Sequence, residues 1–157
     1  PPGLLPGRHL LHAHRLRFAD PGHGGAIEVQ APWPADLGFA DAMRGWAVGM
    51  ESTMIATTDG GATWAPVAVK SPPGFSLALY DVEVEGDLGW AVGNSGFLLN
   101  STDAGQTWNL VDVPPQLGSY WFREVELLPG GKGIIVGSTG MVLKVDGTKF
   151  VRNKEQI

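Results

Sequence analysis

The stretch GWAVGNSGFLLNSTDAGQTW, residues 89–108, decides the fold because it recurs along the chain. Its second half returns as TTDGGATW at residues 57–64 and, in a shorter form, as KVDGTKF at residues 144–150. Its first glycine recurs every 44 residues, as Gly45, Gly89 and Gly133. A fixed period of this length indicates a repeat architecture, in which each repeat is one supersecondary unit. The sequence therefore contains three imperfect copies of one design.

Each copy has the pattern of β structure. Apolar residues alternate before the repeated glycine, as at Val82 and Val84, and short apolar runs such as WAVG, FLLN and WNLVDV follow it. Glycine or Asp-Gly separates these runs, and no segment keeps an apolar period of about 3.6 residues. Four short strands in each repeat are typical of a β-propeller blade. The pattern predicts an all-β fold.

The segments STDAGQTW and TTDGGATW resemble the Asp-box, or BNR, motif (Ser/Thr-x-Asp-x-Gly-x-Thr-Trp). Together with the preceding GWAVG they are similar to the repeats of photosystem II stability and assembly factors, over about residues 35–153. The third copy departs from the pattern, because Ile134 replaces the first tryptophan and the box is one residue shorter. The resemblance implies about three four-stranded blades, a partial propeller, preceded by an N-terminal β-hairpin.

The repeat spacing also predicts the division of the chain. We expect an N-terminal hairpin segment in residues 1–34, blade 1 in 35–70, blade 2 in 71–115 and a truncated blade 3 in 116–157. Propellers close with about 4 to 8 blades. We therefore expect the sequence to belong to a longer propeller or to associate with another copy through open sheet edges.

The residue types of the box suit a turn better than a catalytic centre. A short acidic side chain can accept hydrogen bonds from its own turn, glycine permits positive φ, and tryptophan buries a large apolar area between sheets. Threonine suits the start of the following strand. We assign a structural role to Thr57, Asp59, Gly61, Thr63, Trp64, Ser101, Asp103, Gly105, Thr107, Trp108, Asp146 and Phe150.

The N-terminal segment differs in composition and contains all four histidines, His9, His12, His14 and His23. Residues 8–37 resemble the C-terminal tail of the large-subunit ribosomal RNA pseudouridine synthases, and a decayed blade hairpin is the alternative. That enzyme family places its catalytic Asp in a His-Arg-Leu-Asp motif, which is missing here because Arg17 follows His14–Leu16. Both interpretations predict strands at about residues 10–18 and 26–31. His12 and His14 lie on one face of such a strand, and we expect no metal there.

Bulk properties exclude several classes of function. The formal charge of −5 gives no attraction to nucleic acid. The absence of cysteine removes disulfides and thiolate sites. No apolar run reaches the roughly 20 residues that span a membrane. We expect no cofactor, no nucleic-acid partner and no membrane insertion.

A protein-binding scaffold is the function that these observations favour. Tyr120, Trp121 and Arg123 are candidate binding residues, since aromatic and arginine side chains dominate protein interfaces. The assembly-factor resemblance implies a protein partner, such as a subunit of a membrane complex, and an extracytoplasmic location. The alternatives are a pseudouridine synthase fragment and a sialidase-like glycoside hydrolase. The six arginines and two tyrosines of the chain show no pattern typical of a sialidase active site.

Overall fold

The computed structural model describes residues 16–19, 26–29, 36–71 and 77–153. Its described part contains three four-stranded antiparallel sheets and one separate two-stranded sheet. Three single-turn 3₁₀ segments lie between strands, at Met50–Ser52, Pro115–Leu117 and Ser138–Gly140. The fold is therefore all-β, as the repeat pattern predicts.

The three large sheets are successive meanders along the chain, in which each strand pairs with the next. Blade 1 comprises β3 (Asp36–Phe39), β4 (Gly45–Val48), β5 (Met54–Thr57) and β6 (Ala65–Pro66). Blade 2 comprises β7 (Leu79–Glu85), β8 (Leu88–Gly93), β9 (Leu98–Ser101) and β10 (Asn109–Leu110). Blade 3 comprises β11 (Phe122–Leu128), β12 (Lys132–Gly137), β13 (Val142–Asp146) and β14 (Lys149–Arg152).

The first strands of the blades lie side by side, with β3 against β7 and β7 against β11. This arrangement is that of a partial β-propeller, in which successive blades share the axis formed by their first strands. The N-terminal pair, β1 (Leu16–Ala19) and β2 (Ala26–Val29), forms an antiparallel hairpin. The rest of the N-terminal segment, including the four histidines, lies outside the described residues.

The hydrophobic core is split into two clusters, each enclosed between neighbouring blades. The first lies between blades 1 and 2, where Trp46 packs with Val82, Ala91 and Leu99. The second lies between blades 2 and 3, where Trp90 packs with a set of apolar residues that includes Val125, Ile135 and Leu143. Among the described residues, the apolar area is therefore buried between neighbouring blades and not within a single blade.

The repeated hairpin turn between the second and third strands requires positive φ at its central residues. These residues are Glu51 and Ser52 in blade 1, Ser95 and Gly96 in blade 2, and Thr139 and Gly140 in blade 3. In blade 2 the Asn94 side chain serves another purpose, since its Oδ1 accepts a 2.8 Å hydrogen bond from the Ala78 backbone N–H. The left-handed conformation in this turn therefore belongs to Ser95 and Gly96 and not to Asn94.

The outermost strands are shorter than the apolar runs predict. In blades 1 and 2 they contain two residues each, and they begin one residue after the box tryptophan. Thr63 and Thr107 are therefore turn residues, and the expectation that they start strands is wrong. These threonines lie outside the strand because the backbone N–H and the hydroxyl of each donate hydrogen bonds to the box aspartate.

Candidate functional site

The blade 2 box is a turn closed by the side chain of Asp103. Its Oδ1 accepts hydrogen bonds from the Ser101 hydroxyl at 2.7 Å and the Thr107 backbone N–H at 2.9 Å. Its Oδ2 accepts the Thr107 hydroxyl at 2.6 Å. The Gly105 backbone N–H donates to the Ser101 hydroxyl at 2.9 Å. The turn therefore binds both oxygens of its own carboxylate.

The blade 1 box repeats this geometry with Thr57, Asp59, Gly61 and Thr63. Asp59 accepts the Thr57 hydroxyl at 2.8 Å on Oδ1 and the Thr63 hydroxyl at 2.6 Å on Oδ2. Gly61 N–H donates to the Thr57 hydroxyl at 2.9 Å. Two separate segments with the same hydrogen bonds point to a shared turn structure.

These bonds hold both aspartates in the charged form. The hydroxyl and the backbone N–H of Thr107, followed by the hydroxyl of Ser101, lower the pKa of Asp103 from 3.8 to about 2. Thr63 and Thr57 lower the pKa of Asp59 to about 2 in the same way. A general acid at neutral pH needs a raised pKa, so the shift is opposite to what acid catalysis requires. The electrostatics agree with a structural turn.

The tryptophan that ends each box bonds back to its own turn. The indole N–H of Trp108 donates to the Gly105 carbonyl at 3.0 Å and is buried. Trp64 makes the equivalent bond to Gly61 at 3.2 Å but is only half-buried. The expectation that both tryptophans are buried between sheets holds for Trp108 and is wrong for Trp64.

The tryptophan of GWAVG joins neighbouring blades. Trp46 of blade 1 donates its indole N–H to the Gly105 carbonyl of blade 2 at 3.0 Å. Gly105 has a φ of +77°, and a Cβ at this position would lie 2.3 Å from Cζ2 of Trp46. Trp90 of blade 2 donates in the same way to the Gly147 carbonyl of blade 3, also at 3.0 Å. The turn before the outermost strand of one blade thus supplies the carbonyl that accepts a hydrogen bond from the tryptophan of the previous blade.

The third box is a different structure. Asp146 ends β13 and binds the exposed Lys132 ammonium at 2.5 Å, and a turn at Gly147 and Thr148 leads directly into β14. Assigning Asp146 to a self-bonded box is therefore wrong, because the shortened segment leaves only two residues between the strands. Phe150 packs edge-on against Trp90, with ring centroids 6.4 Å apart.

Two acidic residues of β7, whose role the sequence pattern does not reveal, bind the first strand of the next blade. Asp81 accepts the Val82 backbone N–H at 2.8 Å and the Val125 backbone N–H at 2.7 Å. Glu83 accepts the Leu127 backbone N–H at 2.6 Å. Both carboxylates therefore join blade 2 to blade 3. The available signal was their position 44 residues before the residues that they bind.

Arg123 of β11 lies against two aromatic rings from neighbouring blades. Its guanidinium carbon is 4.6 Å from the ring centroid of Tyr80 and 5.0 Å from that of Trp121. The two rings are 6.3 Å apart, and Trp121 is 45% exposed. We call Tyr80, Trp121 and Arg123 the aromatic–arginine cluster. The sequence pattern does not indicate that Tyr80 belongs to this cluster, because only the fold brings β7 beside β11.

Tyr120 does not join this cluster. Its side chain is half-buried and packs against the core between blades 2 and 3. Its backbone carbonyl accepts a hydrogen bond from the Gly96 N–H at 2.9 Å. Of the three predicted binding residues, the structure brings Trp121 and Arg123 together and places Tyr120 elsewhere.

Other kinds of site have little support in the described residues. Among them, no group of three or more histidine, aspartate or glutamate side chains is placed to hold a metal ion. Within the same residues, no helix is long and apolar enough to cross a membrane. Arg44 is bound to Asp41 at 2.8 Å in the turn between β3 and β4, whereas Arg123 lies in blade 3. These two arginines therefore lie in different blades, and Arg44 is held within its own turn.

Comparisons with known proteins agree with the repeat architecture. The family model described as photosynthesis system II assembly factor YCF48 matches residues 25–120, more than half of the chain. A solved structure of YCF48 bound to D1 peptide is 31% identical, with a TM-score of 0.66, over 79% of this chain and 42% of that one. YCF48 from Cyanidioschyzon merolae is 26% identical, with a TM-score of 0.59, over 90% and 38%.

The chain spans less than half the length of either solved YCF48 chain. Among curated proteins, no sequence matches it significantly. These comparisons give no support to the resemblance between residues 8–37 and pseudouridine synthase tails.

Proposed function

Because the chain belongs to the photosynthesis system II assembly factor YCF48 family, we propose that it is a non-catalytic scaffold that binds a segment of a client protein during assembly of a larger complex. One solved member of similar fold is described as bound to a D1 peptide. A peptide from a membrane-complex subunit is accordingly the client that we propose for this chain.

The aromatic–arginine cluster is the observation that carries this proposal. Arginine and tryptophan are among the residues that contribute most to protein interfaces. The two rings hold the Arg123 side chain in place, so less conformational entropy is lost when its guanidinium binds a partner. Both ring centroids lie within 5.0 Å of the guanidinium carbon, and the guanidinium N–H groups are the ones that can donate hydrogen bonds to a partner. The cluster therefore suits an extended peptide with an apolar side chain and an acceptor such as a carbonyl or carboxylate.

The same geometry favours binding over catalysis. Both box carboxylates are held by their own turns and have lowered pKa values. A pocket in blade 2 is lined mainly by apolar residues and small turn residues, and Asp112 is its single acidic residue. Acid–base catalysis needs an acid and a base within reach of one reacting centre. We therefore also propose that this chain has no enzymatic activity.

We further propose that blade 1 ends near residue 70 and blade 2 near residue 115, and that the two complete boxes have a structural role. Their hydrogen bonds support that role because they close each turn internally. The divisions have a physical basis in the two cores, each of which lies between blades.

Peptide binding can be measured by isothermal titration calorimetry with a synthetic D1 peptide as the probe. We expect wild-type chain to bind it, and Arg123→Ala to weaken binding by about tenfold or more, since interface arginines of this kind contribute above 1 kcal/mol. Arg152→Ala is the matched control, because it removes an arginine from β14, the outermost strand of blade 3. Equal affinity of Arg123→Ala and wild type would contradict the assignment of the site.

A further inference from the structure

The aromatic–arginine cluster is built from two chain segments of one design. In blade 2 the segment is ALY, residues 78–80, and in blade 3 it is WFR, residues 121–123. The middle residue of each segment is fully buried. The last residue supplies a side chain of the cluster, Tyr80 in blade 2 and Arg123 in blade 3. We call residues 78–80 and 121–123 the two entry segments, because each leads into the first strand of its blade.

Tyr80 and Arg123 are each the extra residue of a β-bulge. The pairing of β7 with β8 skips Tyr80, and the pairing of β11 with β12 skips Arg123. A bulge turns the extra side chain out of the regular alternation of a strand, and bulges are frequent beside functional sites. The backbone just before each bulge therefore determines where these two side chains point.

In both blades the first residue of the entry segment is held by the turn between the second and third strands. The Ser138 hydroxyl accepts the Trp121 backbone N–H at 3.2 Å, and the Ser138 backbone N–H donates to the Trp121 carbonyl at 2.8 Å. The Asn94 side chain accepts the Ala78 backbone N–H at 2.8 Å, and the Asn94 backbone N–H donates to the Ala78 carbonyl at 3.1 Å. In each entry segment, one turn residue thus binds both backbone polar groups of the first residue.

These turn residues occupy the same position of the repeat, 44 residues apart, and each follows a glycine. A Cβ at Gly93 would lie 2.0 Å from the Ala78 carbonyl oxygen, and a Cβ at Gly137 would lie 2.8 Å from that of Trp121. Glycine therefore allows the turn to approach the entry segment closely enough to bond to it. Blade 1 has Met50 at the repeat position of the holding residue, and its side chain contains no oxygen. A holding side chain with an oxygen acceptor occurs in the two blades that supply the cluster.

We propose that Ser138 and Asn94 are positioning residues of the peptide site. Ser138 acts through the backbone of Trp121 and so sets the position of Arg123. Asn94 acts through the backbone before Tyr80. A site held in its binding conformation binds more tightly, because the apparent affinity falls with the fraction of molecules in that conformation. This inference rests on the proposed binding of a peptide by the aromatic–arginine cluster.

Three substitutions in the blade 3 turn separate this role from general effects on stability. Ser138→Ala removes the acceptor of the Trp121 N–H, and because this bond lies at the exposed surface, water can replace it and the chain should stay folded. Thr139→Ala is the matched control, since it removes a hydroxyl of the same turn that donates to the Ser138 carbonyl at 2.7 Å. Ser138→Thr keeps the hydroxyl and is the conservative variant.

Fluorine NMR of the chain labelled with 5-fluorotryptophan reports on Trp121 without any peptide. The Trp121 resonance is identified by its loss in Trp121→Phe. We expect Ser138→Ala to shift or broaden this resonance, and Thr139→Ala and Ser138→Thr to leave it in place. An unchanged Trp121 resonance in Ser138→Ala would overturn the inference, whether or not peptide binds.

Isothermal titration calorimetry with the synthetic D1 peptide measures the effect on binding. Ser138→Ala should bind about threefold to tenfold more weakly than wild type, the range that corresponds to one hydrogen bond, and the other two variants should bind as wild type does. Wild-type affinity in Ser138→Ala, despite an altered Trp121 resonance, would also overturn the inference. A wild-type chain that binds no D1 peptide would contradict the proposed function instead, and the Trp121 resonance would then decide by itself whether Ser138 positions this residue.

Asn94 is tested in the same way through Tyr80. The chain has two tyrosines, so labelling with 3-fluorotyrosine gives two resonances, and Tyr80→Phe identifies the one from Tyr80. Asn94→Ala should alter this resonance and weaken peptide binding by a similar factor, whereas Asn94→Asp keeps an oxygen for the Ala78 N–H and should retain both. Equal resonances and affinities in Asn94→Ala and wild type would refute the role of Asn94. Should Asn94→Ala fail to fold, the Ser138 variants decide the inference.

Discussion

Replacing Trp90 with isoleucine should test whether the blades are held together through the repeated tryptophan. Trp90 is fully buried between blades 2 and 3, donates its indole N–H to the Gly147 carbonyl at 3.0 Å and packs edge-on against Phe150. Blade 3 itself carries Ile134 at the equivalent position. Trp90→Ile thus places in blade 2 the residue that blade 3 already has at this repeat position, but at a site that is buried between blades.

The expected cost follows from three losses. Removing the hydrogen bond to Gly147 costs about 1 kcal/mol, and losing the edge-on aromatic pair costs about 0.5–1.5 kcal/mol. The smaller side chain leaves a partly filled space, which adds about 1–2 kcal/mol. We expect the free energy of unfolding to fall by about 3 kcal/mol and Tm by about 6–12 °C for a chain of this size.

Urea denaturation followed by far-ultraviolet circular dichroism measures this loss without relying on tryptophan emission. Trp121→Ile is the matched control, because it removes the same atoms from a site that is 45% exposed, and it should cost less than about 1 kcal/mol. A loss below about 1 kcal/mol for Trp90→Ile, or equal losses for the two variants, would refute the conclusion that the core between blades stabilises the fold.

Two further substitutions probe the box turn. Gly105→Ala should destabilise the chain by more than about 2 kcal/mol, because φ is +77° and the added Cβ would meet the Trp46 ring at 2.3 Å. Gly86→Ala is the control, because Gly86 has φ +61° and no heavy atom lies within 4 Å of the added Cβ. It should cost only the backbone strain of about 1 kcal/mol. Equal losses of Tm for Gly105→Ala and Gly86→Ala would contradict the clash with Trp46. The lowered pKa of Asp103, about 2 against 3.8, favours the folded state fully above pH 4, and that contribution disappears as the pH falls from 4 to 2. In Asp103→Asn, the urea midpoint of unfolding should therefore decline less steeply as the pH falls from 4 to 2. Asp112→Asn is the control for the change in net charge. If Asp103→Asn and wild type lose stability equally in acid, the carboxylate does not stabilise the turn.

The repeat made most of the blade architecture predictable. Copies spaced by 44 residues give the number of blades, and the alternation of apolar residues gives the strands within each blade. The complete boxes at residues 57–64 and 101–108 could be assigned to turns because serine or threonine, aspartate and glycine satisfy each other within eight residues. Such interactions are local, so the sequence pattern contains them.

The contacts between blades were harder to predict. Asp81 and Glu83 have the same alternation as any exposed strand residues, and their bonds to Val125 and Leu127 depend on β7 lying beside β11. Tyr80 joins Arg123 for the same reason. The repeat pattern predicts a box at Asp146, but the missing residue shortens the loop, and Asp146 pairs with Lys132 instead.

The all-β class, the three repeated blades, the positions of their turns and the likeness to an assembly-factor propeller are all predictable from the amino-acid sequence. The packing of the blades is needed to show which face of each blade is buried and which side chains join blades. It is also needed to show that Tyr80, Trp121 and Arg123 form one cluster. The physical reason is range. Turn hydrogen bonds and strand alternation act over a few residues, whereas the contacts between blades join residues more than 40 positions apart, whose proximity depends on how whole sheets pack.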